Sequence, residues 1–357
     1  MFEQKRIYLD YAATTPILDV AQQACLDGFA HWANPSSPHA DGRAAGSMLE
    51  NARKRFKAAL DWDGEVIFTS GASEAIYMAL KQTKPSRQLV SPVEHDVVLR
   101  FSEGATSLPV DLNGLVVPMR LDQMLKSETE QALVVVQSVN NETGVMQDME
   151  ALAKVTQDNG AILLADCAQS AGKMPLPDAD MIIIAGHKFG GPPGIGALLI
   201  KDLQLLKASG GQEQGYRSGT QNLPYIMAMV AALEAPTNWA GRASELRAHL
   251  DNAVKAEGGT IIAENAPRIA TIASYHMPGV AANTQLIKFD MAGFSVSAGS
   301  ACSSGSLKPS HVLEAMGIDA VTAREVIRVS IGRDTTRAHI YEFVEQWKSI
   351  FSAARQN

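Results

Sequence analysis

Apolar positions along this chain fall into two alternating textures. Short unbroken runs rich in branched residues, GEVIFTS from Gly64, ALVVVQS from Ala132, AILLAD from Ala161, DMIIIAG from Asp180 and IGALLI from Ile195, predict strands buried on both faces. Helical spacing fills the stretches between them. GRAAGSMLENARKRFKAALD, from Gly42, puts Ala44, Met48, Ala52, Phe56 and Ala59 on one stripe, with Arg53, Lys54, Arg55 and Lys57 largely off it as a solvated face. Alternating strand and helix predict a mostly parallel sheet with covered faces. From about Pro236 the texture changes. APTNWAGRASELRAHLDNAVKAEGG reads as a boundary followed by a helix, and RIATIASYHM, FSVSAGS and VIRVSIG as strands of a second, smaller α+β domain. A closing helix carries Ile340, Phe343, Val344, Trp347, Ile350 and Phe351 at helical spacing, which marks Trp347 as core packing.

Composition narrows the class of function. The 357 residues allow two domains of about 150 each. A net charge of -7 with both signs interspersed lacks the basic footprint of a nucleic-acid or anionic-membrane binder. No apolar run reaches the roughly 18 residues of a membrane span, and the first residues show no signal-peptide apolar core, so the cytoplasm is expected. Cys25, Cys167 and Cys302 are odd in number and far apart, with no Cys-x-x-Cys pair for a metal and no disulfide framework. Cys25, among alanines on a helical pattern, reads as packing, and so does Cys167, which a continuing pleat turns away from Asp166.

Three segments carry chemistry. In VIFTSGASEAIYMAL a strand turns through Ser70-Gly71-Ala72-Ser73 into a helix, whose free N–H groups suit a phosphate; the same residues also read as an ordinary helix cap with Glu74 nearby. In LLADCAQSAGK, Asp166 ends an apolar strand, where open α/β sheets bind ligands, or else caps a helix. In MIIIAGHKFGGPPGIGALLI, His187 and Lys188 follow a buried strand directly. A lysine there is costly to keep charged unless its pKa falls or it is covalently engaged. Pyridoxal phosphate accounts for all three: Lys188 as its covalent partner, Asp166 on the ring nitrogen and a helix start for the phosphate.

YLDYAATTP, NPSSPHADGR, FTSGASEA, VEHDVV, VNNETGVMQ, DCAQSAGK, AGHKFGGPPGIGAL, GGQEQGYRSGTQN, GSACSSGSLKPS and IRVSIGRDTT follow in order from residue 8 to about 336. Together they resemble the cysteine desulfurases of the class V aminotransferase family, of the type serving nitrogen fixation and iron–sulfur assembly. The long Gly/Ser-rich cysteine segment is similar to the branch with a mobile long loop.

The resemblance implies a fold-type I, aspartate-aminotransferase-like α/β architecture. Residues 16–235 would form a large mostly parallel-sheet domain that binds pyridoxal phosphate, and residues 1–15 with 236–357 a small α+β domain carrying the cysteine loop. It implies a homodimer with sites at the subunit interface. Lys188 would carry the cofactor, Asp166 pair with the ring nitrogen, and His95 stack on the ring and assist proton transfer. Gln169 and Asn141 would lie by the ring oxygen, with Asn141 also near substrate. Ala72, Ser73 and His187 would hold the phosphate, with Thr220 reaching it from the other subunit. Arg328 would take the carboxylate of L-cysteine through its planar fork. Cys302 would receive the sulfur as a persulfide, leaving L-alanine, for delivery to an acceptor or scaffold protein. A thiol near its ordinary pKa is ionised by only a few per cent at pH 7, so the site must activate it.

Departures are also visible. Ala185 stands where relatives usually carry a serine or threonine, removing one hydroxyl from the phosphate site and about 1 kcal/mol with it. FGGPPG replaces a lysine-bearing turn, residues 236–282 look shortened, and little chain follows the last helix. The alternatives are another fold-type I enzyme (a selenocysteine lyase, cystine lyase or transaminase) and a non-catalytic partner subunit.

Overall fold

The computed structural model describes residues 6–299 and 310–355. Its strands, in chain order, are β1 (Ile7–Tyr8), β2 (Glu65–Thr69), β3 (Arg87–Val90), β4 (Thr106–Ser107), β5 (Ala132–Gln137), β6 (Ile162–Asp166), β7 (Met181–Ala185), β8 (Gly196–Ile200), β9 (Thr260–Ile261), β10 (Ile272–His276), β11 (Phe294–Ser295) and β12 (Val326–Ser330). Seven of them build one sheet in the order β2-β8-β7-β6-β5-β3-β4. Pairing is parallel from β4 through β3, β5 and β6 to β7, whereas β8 runs antiparallel to both its neighbours. The chain is therefore α/β with a mostly parallel sheet, as its apolar runs predict.

Alternate side chains of these strands point to opposite faces, and both faces are apolar. Phe68, Val134, Val136, Leu163, Ile182 and Leu199 pack on one side with Phe56, Leu152 and Met229. Ile67, Leu133, Val135, Leu164, Ile183 and Leu198 pack on the other with Ala75, Ile76 and Ala79. Cys167 is wholly buried in the first of these cores, and Cys25 lies against it. A further three-stranded antiparallel sheet, β12-β10-β9, and the parallel pair β1-β11 share a separate core around Tyr275, Phe289, Phe343 and Trp347. There Phe289 and Phe343 stack at 4.6 Å, and Trp347 is fully buried.

The helix Ala40–Ala59 corrects one expectation. Its buried face is Ala45, Leu49, Ala52 and Phe56, while Ala44 and Ala59 are exposed and Met48 is half-buried. Both stripes share Ala52 and Phe56, so spacing alone could not choose between them. Arg53 makes the choice. Far from belonging to a solvated face, it is mostly covered, with Nη1 and Nη2 donating to Glu213 at 3.0 and 3.1 Å and its cation over the Phe68 ring at 4.8 Å. Glu213 also accepts from the Phe68 N–H at 2.9 Å and from Gln221 Nε2 at 3.0 Å. The pair thus fastens residues 213–221 to the end of β2, which opens toward the pocket described below.

Breaking a buried ion pair from one side strands the other charge, so Arg53→Met should cost about 3–5 kcal/mol of stability. Urea unfolding checks this; a loss under about 1 kcal/mol would show that solvent already compensates Glu213.

Candidate active site

The carboxyl ends of the parallel strands converge on one pocket, the position where open α/β sheets bind ligands. Gln137 ends β5, Asp166 ends β6, Ala185 ends β7 with His187 and Lys188 in the following turn, and His95 follows β3. Ser70, Gly71, Ala72 and Ser73 close one end of it, where β2 runs into the helix Ala72–Gln82. Gly71 there has φ of 149°, and a Cβ on Gly196 of β8 would lie 2.7 Å from Gly71 C and 2.9 Å from Ala72 N. Glycine at both positions lets the helix start sit directly on the strand, with its N–H groups facing the pocket. Glu74 takes part in this turn, accepting from the Ser70 N–H and from Arg217 Nε at 3.0 Å.

Lys188 emerges from the wholly buried MIIIA strand, which explains its environment. Its Nζ donates to Ala12 O at 2.6 Å and Ala13 O at 2.9 Å, carbonyls of the N-terminal segment. Burial, reinforced by the Arg328 charge, pulls its amine from 10.5 down to about 8. Asp166 is buried, and one carboxylate oxygen accepts from Ala168 N at 2.8 Å, so it does cap the turn after β6. Burial pushes it up to about 6, against that hydrogen bond and the pull of Lys188. A cation placed beside Asp166 would reverse this shift.

The histidines are kept neutral. His95 caps the helix Asp96–Phe101 by accepting from Val97 N at 3.2 Å, which leaves the other ring nitrogen as the protonated one. The surrounding protein, then Lys188, holds its imidazole down at about 4, although the open pocket lets solvent reach the ring. His187 Nδ1 meets Thr14 Oγ1 at 3.1 Å, and burial and Lys188 hold it down at about 4.

Eight of the sequence-predicted residues therefore line one cavity: Ala72, Ser73, His95, Asn141, Asp166, Gln169, His187 and Lys188. Ala185 lines it too, presenting a methyl group where a hydroxyl was expected in relatives. Arg328 does not line it. It is buried on β12, with Nη2 donating to Asp10 Oδ1 and Nη1 to Asn141 O, both at 2.9 Å, and Nε without a partner. Thr220 is exposed and lies outside the cavity wall. Cys302 lies outside the described residues.

Two acids escaped the sequence reasoning. Glu94 is fully buried; Oε1 accepts from the Gln137 N–H while Oε2 has no partner, and burial together with Asp166 drives its carboxyl well above the usual range. Asp10 holds Arg328. Both lie in short segments otherwise read for their neighbours, VEHDVV and YLDYAATTP, where an acid beside apolar residues was the available signal.

The residues fit pyridoxal phosphate. A depressed amine, a buried carboxylate opposite it and a helix start are the donor set that cofactor requires. Gln169 adds a buried Oε1 with no partner, its Nε2 being spent on Ala12 O at 2.8 Å.

Comparison with known proteins points the same way. Residues 7–343 match the aminotransferase class-V family. An IscS-like cysteine desulfurase of Mycobacterium tuberculosis is 34% identical, the match covering 98% of this chain and 97% of that protein. Among solved structures, a NifS-like protein from Rickettsia africae superposes with a TM-score of 0.89 at 28% identity, covering 97% of this chain and 99% of the other. SspA in complex with cysteine gives 0.80 at 27% identity, covering 91% and 98%.

With Lys188 at about 8, roughly a tenth of its amine is neutral at pH 7, against less than about a thousandth for an ordinary lysine. Because the folded pKa is lowered, the amine destabilises the fold below about 8, and this is relieved as pH rises toward 10.5. Arylation of Lys188 in the cofactor-free protein should show a midpoint near pH 8 that moves upward in Arg328→Gln. Peptide mass spectrometry across pH reads it; a midpoint at the ordinary value would reject the electrostatic description.

Proposed function

The chain belongs to the class-V aminotransferases and, within them, to the cysteine desulfurases, and we propose that its pocket binds pyridoxal phosphate and removes sulfur from L-cysteine. The observation that carries this reading is the placement of Lys188, Asp166 and a helix N-terminus around one cavity at the strand ends. Lys188 would hold the cofactor covalently, Asp166 its ring nitrogen, Gln169 and Asn141 its ring oxygen, and the Ala72–Ser73 turn with His187 its phosphate. Thr220 of a second copy would complete the phosphate site.

When bound, pyridoxal phosphate supplies an electron sink for the substrate. The protein's part is to bind, orient and move protons. Arg328, fixed by Asp10 and the Asn141 carbonyl outside the cavity lining, would offer its guanidinium to the substrate carboxylate. Lys188 Nζ, with its depressed proton affinity, is suited to take the Cα proton near neutral pH. Asp166, raised to about 6 by burial, is still mostly ionised at pH 7, and a protonated ring nitrogen beside it would strengthen that ionisation. His95, neutral and lining the pocket, would stack over the ring and pass a proton.

The sulfur leaves to Cys302. Its thiol forms the S–S bond as the C–S bond of L-cysteine breaks, so that one cysteine and one thiol give one L-alanine and one persulfide. The glycines and serines around Cys302 suit a segment that must carry sulfur onward to an acceptor protein. A homodimer is supported by the helix Asp19–Ala30, which leaves Val20, Leu26 and Phe29 exposed on one chain. Sparse, separated cysteines support a reducing compartment, the cytoplasm. No described helix is long and apolar enough to cross a membrane.

Three proteins test the reading: wild type, Lys188→Ala and Cys302→Ala, each assayed for L-alanine and sulfide from L-cysteine. Lys188→Ala should lose both products and the cofactor's visible colour. Cys302→Ala should keep the colour and lose sulfur transfer. Full sulfur release by Cys302→Ala would instead favour a lyase or transaminase chemistry that needs no thiol.

A further inference from the structure

Lys188 lines two cavities. Besides the pocket at the strand ends it borders a second and smaller one of about 30 Å³, walled in part by Tyr11, Lys173, Lys188, Thr271, Ile331 and Arg333. That volume exceeds the roughly 10–15 Å³ one water needs and suits a single ion of halide size. Its walls are mostly apolar, and their charges are all of one sign. Lys173, Lys188 and Arg333 contribute to the lining, and no aspartate or glutamate does.

The half-buried side chains of Lys173 and Arg333 have no hydrogen-bond or ion-pair partner among the described residues. Lys188 donates to the backbone carbonyls of Ala12 and Ala13 and feels the carboxylates of Asp166 and Asp10 from the side of the first pocket. Thr271 is 7% exposed, and its hydroxyl is buried without a partner, although a buried hydroxyl is rarely left unpaired. Burial and Lys188 pull the Lys173 amine down to about 7. Lys173 also lines an open surface groove with Gly172, Ala235 and Thr237, so the cavity has a route to solvent.

We infer that this cavity is a binding site for one small monovalent anion, of chloride or hydrosulfide size, held by Lys173, Arg333 and the Thr271 hydroxyl beside Lys188. The anion supplies the missing negative charge and the acceptor for the orphaned hydroxyl. Such an ion would sit within the field of Lys188 without entering the substrate pocket. The site does not depend on sulfur chemistry, since an inert halide fits the same recognition.

The test follows the anion and not turnover. The excess chloride-35 NMR linewidth of the holoenzyme, titrated with chloride, should contain a saturable component. Lys173→Met should weaken that component about tenfold or more, and Thr271→Val by several-fold, the losses expected when a charged and a neutral hydrogen-bond donor are removed. Lys173→Arg, which keeps the charge, should retain most of it, and this variant guards against loss through misfolding. Displacement of chloride by sodium hydrosulfide would support a site that also senses sulfide; saturable chloride binding without displacement would support a halide site. No saturable component, or one left unchanged by both Lys173→Met and Thr271→Val, would overturn the inference. Loss of desulfurase activity in any variant bears on the proposed function alone.

Discussion

The arrangement depends on one unfavourable fact, an amine buried at the end of an apolar strand. MIIIA is wholly buried as β7, and the chain cannot leave it without carrying Lys188 into the protein. Two carbonyls of the N-terminal segment, donated to by Nζ, and the carboxylate of Asp166 on the neighbouring strand make that burial tolerable. They do not remove the penalty, and the lowered proton affinity of Lys188 is what remains of it. Reactivity and packing are therefore one property of this position. The second cavity, bordered by the same amine, extends that electrostatic situation and does not add a separate one.

Positions further out keep this geometry fixed. Residues 10–15 connect the small sheet to the pocket: Asp10 holds Arg328, Ala12 and Ala13 hold Lys188, and Thr15 Oγ1 donates to Lys188 O at 2.9 Å. At the opposite end, the Arg53–Glu213 pair and the Glu74–Arg217 pair at 3.0 Å both fasten residues 213–217 to the turn between β2 and the helix Ala72–Gln82. One segment thus sets the amine, and another sets the helix start.

Much of this is written plainly in the sequence. Fully apolar runs such as ALVVV and MIIIA can hardly do anything but lie inside a sheet, and the residue that follows each run is then placed at its carboxyl end. This is why Asp166, His187 and Lys188 are legible in the sequence. The helix Ala40–Ala59 was harder, because two stripes share Ala52 and Phe56 and the choice rests on Glu213, a partner 160 residues away from Arg53. β3 escaped notice because RQLV has two polar residues in four. Glu94 was missed for a related reason: an acid can be read as buried and unpaired only once its surroundings are known. Arg328 was singled out through family resemblance, and its tie to Asp10 joins residues 318 apart.

The most direct measurement of the central claim is peptide mapping after the protein is incubated with pyridoxal phosphate and reduced with borohydride. The account requires one equivalent of the pyridoxyl mass on the peptide bearing Lys188, and none on Lys173, the other amine whose proton affinity burial depresses. Label on Lys173 or on surface lysines, with Lys188 unmodified, would contradict it.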